Sequence, residues 1–297
     1  MYDVSRESVS FKIQKGNPCT VRFKSPFQSG FPEVDAARAL FFEEKTARRA
    51  VVFVHGLART GISQQVFYPR ELSLHGIAAL MPILPFHEDR ISYEHEYAGK
   101  FLNGPPEVME KKFYQAVTDV LTCVDFLQKA GYGRVDIMGI SSGGMISSIA
   151  MALDERIRRG VLVITGGNLE IIAWKSVLTK SYRTWKRSEH HRMLERSLRI
   201  RREFDECARS FASLRELAHY RSFFRYDPSL FAKMVHRERV LMFTALVDPF
   251  IPRAASDDLW CRFGKPRRYF LPSGHLTTHI LFKRFILRKS LAFFLRG

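Results

Sequence analysis

The sequence predicts an α/β protein built on a doubly wound, mostly parallel sheet, and three observations carry that prediction. Continuous apolar runs rich in β-branched residues recur along the 297 residues and end abruptly at glycine, proline or polar residues. Segments of helical periodicity alternate with them. Hydrophobic residues make up 46% and charged residues 26% of the chain, the balance of a globular domain and not of a disordered or fibrous one. An unbroken apolar run suits a strand covered on both faces, as in a parallel sheet flanked by helices.

Two early segments, Ser8–Ile13 and Cys19–Lys24, alternate apolar and polar residues around Gly16-Asn17-Pro18, which predicts an antiparallel hairpin at the sheet edge. Ala39–Glu43 reads as a third edge strand. The buried strands follow: Ala50–Val54, Ile77–Leu84, Val135–Ile140, Gly160–Thr165, Val240–Leu246 and the short Arg268–Leu271. Val108–Ala130 carries Phe113, Val117, Val120, Leu121, Val124 and Leu127 on one helical stripe and stops at Gly131. Met145–Leu153 predicts a second helix, and Thr278–Leu295 predicts a last one, preceded by His275.

One stretch breaks the alternation. From Asn168 to His236 no strand-like run appears, and a structureless loop of that length is implausible in a compact domain. It predicts a helical insertion, so residues 1–167 and 237–297 form the core and 168–236 a basic lid or cap. The insertion holds fifteen basic and eight acidic residues, and the segment from Leu281 onward adds five basic residues and no acid. These two regions thus carry most of the net charge of +17, a surplus that favours anionic partners. The insertion also interleaves Trp174, Tyr182, Trp185, Leu194, Leu198, Phe204, Phe211 and Leu214 among its arginines. The simpler reading is a lid packing its apolar face over a pocket; the sharper one is peripheral docking on an anionic membrane. No helix-turn-helix, zinc-finger or RNA-binding pattern is present, so no specific nucleic-acid partner is expected.

The N-terminus lacks the basic start and apolar core of a signal peptide, and no run reaches the roughly 18 apolar residues of a membrane span. Cys19, Cys123, Cys207 and Cys261 are scattered, without a CxxC pair. A cytoplasmic address with reduced thiols is expected, and no metal or cofactor.

The chemistry concentrates at Gly139-Ile140-Ser141-Ser142-Gly143, a G-x-S-x-G sequence at the end of a buried strand and the start of a helix. A serine in such a turn needs small neighbours two residues before and after it, and the turn lifts Oγ clear of the sheet. Register selects Ser141, because Ser142 would need glycine at Ile140. The chain here resembles the α/β-hydrolase family, serine esterase or lipase-like, from about Ala50 onward, with the insertion where that family places its lid. The loop Leu84–Arg90 resembles one in dienelactone-hydrolase-like and related esterase members of that family.

The resemblance implies a nucleophile, acid and histidine in that order. Ser141 is the nucleophile, Asp248 follows the strand ending at Leu246 before an Ile251-Pro252 step, and His275 follows Gly274 after the last strand. Glu170 and Asp227 are rival acids without strand-end context, and His279 is a rival histidine expected on a helix surface. The His55-Gly56-Leu57 step implies an oxyanion hole formed by the backbone N–H groups of Leu57 and Ser142. The loops after the first two buried strands imply substrate contacts from His55, Gly56, Arg59, Phe86 and His87, with His55 also bracing its loop. His87-Glu88-Asp89 has no second ligand cluster and does not make a metal site. The implied activity is hydrolysis of a carboxylic ester, lipid-like or medium-chain, through an acyl-Ser141 intermediate. The alternative is a catalytically silent module that binds anionic membrane or nucleic acid through its basic helices.

Overall fold

The computed structural model describes residues 5–57, 62–92, 101–102, 104–179, 190–211, 213 and 215–296. Arg59, Tyr182, Trp185 and Leu214 lie outside the described residues. Nine strands form one sheet: β1 (Lys12–Gln14), β2 (Cys19–Lys24), β3 (Ala36–Phe42), β4 (Arg49–Val54), β5 (Ala78–Pro82), β6 (Arg134–Ile140), β7 (Ile157–Val163), β8 (Val240–Ala245) and β9 (Arg267–Leu271). Their order is β1-β2-β3-β5-β4-β6-β7-β8-β9. β1, β2, β3 and β5 pair antiparallel, and every pairing from β5–β4 to β8–β9 is parallel. The predicted doubly wound sheet with an antiparallel edge is present, and its first strand is shorter and lies later than the Ser8–Ile13 reading.

Side chains alternate between two cores. Ala50, Val52 and Val54 of β4 join one buried cluster with Val117, Ile146 and Phe231, whereas Val51 and Phe53 join a second with Leu72, Ile286 and Phe294. Helices Pro106–Lys129 and Ser142–Leu153 cover the first face; Phe67–Leu74 and Lys283–Phe294 cover the second. Each fully buried Val, Leu, Ile or Phe contributes about 1.5–3 kcal/mol relative to exposure. Both faces need such residues, and this produces the unbroken apolar runs.

The sequence readings need correction at the helices. Phe67–Leu74 and Arg253–Arg262 were not anticipated. The last helix is two, His275–Leu281 and Lys283–Phe294, broken at Phe282 (φ −118°, ψ 4°), so His275 begins a helix and does not merely precede one. The insertion between β7 and β8 contains Leu169–Lys175, His190–Ser210 and Pro228–Ala232. Its Ile200, Phe204, Phe211, Phe224 and Phe231 belong to the first face's cluster, so its apolar side extends the core of the sheet. Among the described residues no helix is long and apolar enough to cross a membrane.

The topology locates the site. After β4 the chain steps to β5 on one side and then to β6 on the other, so the strand order reverses beside β4. Ligands of open α/β sheets bind at such a switch point, outside the C-terminal strand ends. Val54 of β4 lies opposite Gly139 of β6, which brings His55-Gly56-Leu57 beside Ile140-Ser141.

Candidate active site

Ser141 sits between β6 and the Ser142–Leu153 helix with φ 53° and ψ −119°, a conformation that costs a non-glycine residue energy and persists only when its surroundings enforce it. Those surroundings are specific. The Ser141 N–H donates to the Val163 carbonyl (2.9 Å), and Thr165 Oγ1 donates to the Ser141 carbonyl (2.7 Å). A Cβ at Gly139 would fall 2.3 Å from Ser147 Oγ, and one at Gly143 would fall 2.1 Å from the Val54 carbonyl oxygen. The two glycines are therefore required by close approach of backbone and side chain, as the turn predicted.

Asp248 and His275 converge on this serine. His275 Nδ1 lies 2.6 Å from Asp248 Oδ2, and Nε2 lies 3.0 Å from Ser141 Oγ. A carboxylate can only accept, so Nδ1 carries the proton, and Nε2 is left to accept from the serine hydroxyl. The other carboxylate oxygen, Oδ1, accepts the N–H groups of Phe250 (2.9 Å) and Ile251 (2.8 Å), which fixes the carboxylate plane. The Phe250 ring stands edge-on to the imidazole at 5.2 Å, and both Asp248 and His275 are buried. Such a row can draw a proton from the hydroxyl and hold the resulting imidazolium beside an anion.

The competing acids are occupied elsewhere. Asp227 is buried and accepts the N–H groups of Asn168, Leu169 and Ser229, tying both ends of the insertion together. Burial pushes its carboxyl up to about 7 despite those donors. Burial likewise raises Glu170, and neither Asp227 nor Glu170 is bonded to His275.

The loop after β4 leans on the Ser141 turn, since a Cβ at Gly56 would lie 3.2 Å from Ser141 Cβ. The backbone N–H groups of Leu57 and Ser142 take no acceptor among the described residues. Ser142 is the first residue of its helix, where N–H groups lack intrahelical partners and the dipole favours negative charge. Sequence reasoning missed Gln65, whose Oε1 accepts the Gly56 N–H at 2.6 Å and whose amide reaches back to the Gly56 carbonyl at 3.5 Å. This clamp holds the peptide that presents Leu57.

Above Ser141 opens a cavity of about 670 Å³. Leu102, Met109, Met145, Leu169, Ile172 and Phe250 supply much of its wall, with Gly56, Leu57, Gln65, Ser141, His275 and His279 among the other lining residues. None of its described lining residues is Asp, Glu, Lys or Arg. A second hollow, against Lys12, Arg22 and Lys24 at the antiparallel edge, is remote from this chemistry.

Three expected substrate contacts are corrected. His55 is fully buried: its Nε2 accepts the Leu84 N–H (3.0 Å), Nδ1 lies 2.8 Å from the Gly56 carbonyl, and burial holds the ring down to about 3. It braces the loop and presents nothing to the cavity. Phe86 is buried under Lys112, whose Nζ lies 4.5 Å from the ring centroid. His87 Nδ1 lies 3.0 Å from the Pro85 carbonyl, and the imidazole packs on His55 at 4.8 Å. The cause is Arg90, fully buried and bonded to Asp119 and the Val34 and Ile83 carbonyls, which draws this loop inward. Glu88 accepts the Ile62 N–H and Asp89 pairs with Arg38, so the three residues do not converge. His279 is also corrected. It lines the cavity one turn beyond His275, and burial together with His275 lowers it to about 4.

Residues 51–281 match the sequence profile of a family described as the alpha/beta hydrolase family. Among curated proteins, none matches the sequence. Solved structures share the fold at low identity. Acetyl xylan esterase from Paenibacillus sp. R4 aligns with TM-score 0.62 and 17% identity over 94% of this chain and 88% of its own. Acylaminoacyl peptidase of Pyrococcus horikoshii aligns with TM-score 0.61 and 14% identity over 95% of this chain, which spans only 41% of that enzyme's length. A cold-adapted esterase from an Arctic intertidal metagenomic library aligns with TM-score 0.57 and 15% identity over 96% of this chain and 97% of its own.

Proposed function

Because the chain belongs to the alpha/beta hydrolase family, we propose that it is a serine hydrolase cleaving a carboxylic ester through an acyl-Ser141 intermediate. The observation that carries this reading is the unbroken row Asp248–His275–Ser141, opening into a cavity whose described lining is mainly apolar. His275 Nε2 takes the hydroxyl proton as Ser141 Oγ attacks the ester carbon, then returns it to the leaving alcohol. Water repeats the sequence on the acyl-enzyme and restores the serine. The amides of Leu57 and Ser142 receive the oxyanion, their value lying in being fixed before the charge develops. No metal or cofactor enters these steps.

A cavity of this size and lining takes a lipid-like or medium-chain acyl group; among the described lining residues, a carboxylate beside Leu102, Met109 and Ile172 would lose hydration and meet no cation. Residues 168–236 act as the cap, placing Leu169 and Ile172 over the acyl site. Peptidase and esterase chemistry share the same serine, so the pocket decides the bond cleaved. The test is a series of p-nitrophenyl esters of increasing chain length, with Ser141→Ala as control. Turnover that peaks at medium chains and vanishes in the variant is expected. Turnover of none of them, or turnover surviving Ser141→Ala, would overturn the reading.

A further inference from the structure

The mouth of the cavity is apolar and exposed where a closed enzyme site would be polar. Leu276 lines the cavity and is 66% exposed, and on the same short helix Ile280 and Leu281 are 71% and 65% exposed. The next segment continues this rim: Val247, 76% exposed, donates its N–H to the Ser273 carbonyl beside that helix. Beyond it, the Val177 N–H donates to the Pro249 carbonyl, and exposed Leu178 again lines the cavity. Leu178 and Leu276 thus line the cavity from two segments, with exposed Val177, Val247, Ile280 and Leu281 on the chain beside them. Aliphatic exposure of this kind marks an interaction surface more often than chance exposure.

The chain segments that carry these residues are rich in cations. From Gly264 onward the sequence has eight basic residues and no acidic one, and residues 171–188 have five and none. Lys175, Lys283 and Arg284 are exposed immediately beside the apolar segments. Aliphatic residues at the level of the mouth, ringed by cations, complement a surface that is apolar within and anionic outside. A nucleic acid would use the cations and leave Ile280 and Leu281 in water.

We propose that this rim docks the protein on an anionic lipid bilayer, with Leu276, Ile280 and Leu281 entering the headgroup boundary and Lys283 and Arg284 meeting acidic headgroups. The inference rests on the reading of the cavity as an ester site, since docking then delivers lipid-like esters directly to Ser141. It moves the contact from the two basic helices as a whole to the helix His275–Leu281 and the start of the next one.

Co-sedimentation with vesicles of phosphatidylcholine, with and without a minority of phosphatidylglycerol, tests it, using Ser141→Ala so that binding is read without catalysis. Binding to the anionic vesicles alone is expected. It should fall at least about tenfold in Ile280→Glu/Leu281→Glu and similarly in Lys283→Glu/Arg284→Glu. The same substitutions in the otherwise wild-type protein should leave turnover of a soluble short-chain ester in place, which shows that they fold. Equal partition to neutral and anionic vesicles, or binding undiminished by either pair, would overturn the proposal. So would a duplex-DNA gel shift unaffected by Ile280→Glu/Leu281→Glu in a protein that ignores vesicles. Vesicle binding without ester turnover would instead sink the hydrolase reading and leave this one standing.

Discussion

The two rims of the parallel sheet both bury a carboxylate, and they use it differently. At the C-terminal rim, Asp248 spends one oxygen on two backbone N–H groups and the other on His275. At the N-terminal rim, Asp136 of β6 is fully buried, with Arg49 Nε 3.7 Å from its Oδ2. Burial pushes Asp136 up to about 6 against the pull of Arg49, Arg134 and Arg159. Arg159 also donates to the Phe293 carbonyl, tying down the last helix. A perturbed buried acid is therefore not by itself a site. What separates the rims is convergence: among the described residues, only Asp248 is bonded to a histidine that is bonded to a strained serine beside a cavity.

The sharpest way to break that contrast is to remove the serine or the histidine. Ser141→Ala or His275→Ala should lower kcat for a p-nitrophenyl ester by at least about 10⁴-fold, with the melting temperature little changed. Comparable turnover in either variant would dissolve the distinction between the rims. Asp248→Asn should cost about 10³- to 10⁴-fold, because an amide at Oδ2 no longer enforces the Nδ1–H tautomer. Gln65→Ala comes next. It acts through Gly56, so kcat should drop about ten- to a hundredfold while KM holds, a split that steady-state kinetics reads directly.

Asp136→Asn addresses the opposite rim and should leave kcat unchanged. Its effect is on stability against pH. An acid whose carboxyl is raised in the fold stabilises it while protonated, fully below the ordinary carboxylate value near 4. That contribution is lost as pH climbs through about 6. Urea titrations at pH 5 and pH 8 should show the wild-type protein losing about 1.4 kcal/mol from this source, and the variant not. Equal slopes would mean that the arginines hold Asp136 ionised. The smallest effect expected is that of His279→Gln. With His279 neutral above about pH 4, the variant should alter KM a few-fold and leave the shape of the pH–rate profile between pH 5 and 9 intact.

What was legible in the sequence is what local context encodes. Ser141 stands directly after a strand announced by its apolar run, Asp248 and His275 follow within four residues of later strand ends, and the two glycines flank Ser141 in the same turn. Gln65 was not legible: nine residues and a helical turn separate it from Gly56, and only the folded loop brings them together. The helices Phe67–Leu74 and Arg253–Arg262 were obscured by an internal proline and by a run of charges. His279 was misjudged because no glycine or proline marks Phe282, so the last helices read as one beginning at Thr278. Starting the helix at His275 instead puts His279 one turn on, on the same side as His275. Phe86 and His87 follow the strand that predicted them, but the buried Arg90–Asp119 pair, distant in sequence, turns them inward.

The central claim is that Ser141 is the nucleophile held ready by His275, and a fluorophosphonate probe tests it most directly. A single covalent adduct is expected, mapped by peptide mass spectrometry to Ser141, formed by the wild-type protein, absent in Ser141→Ala and strongly slowed in His275→Ala. An adduct on another residue, or no adduct on folded wild-type protein, would contradict it.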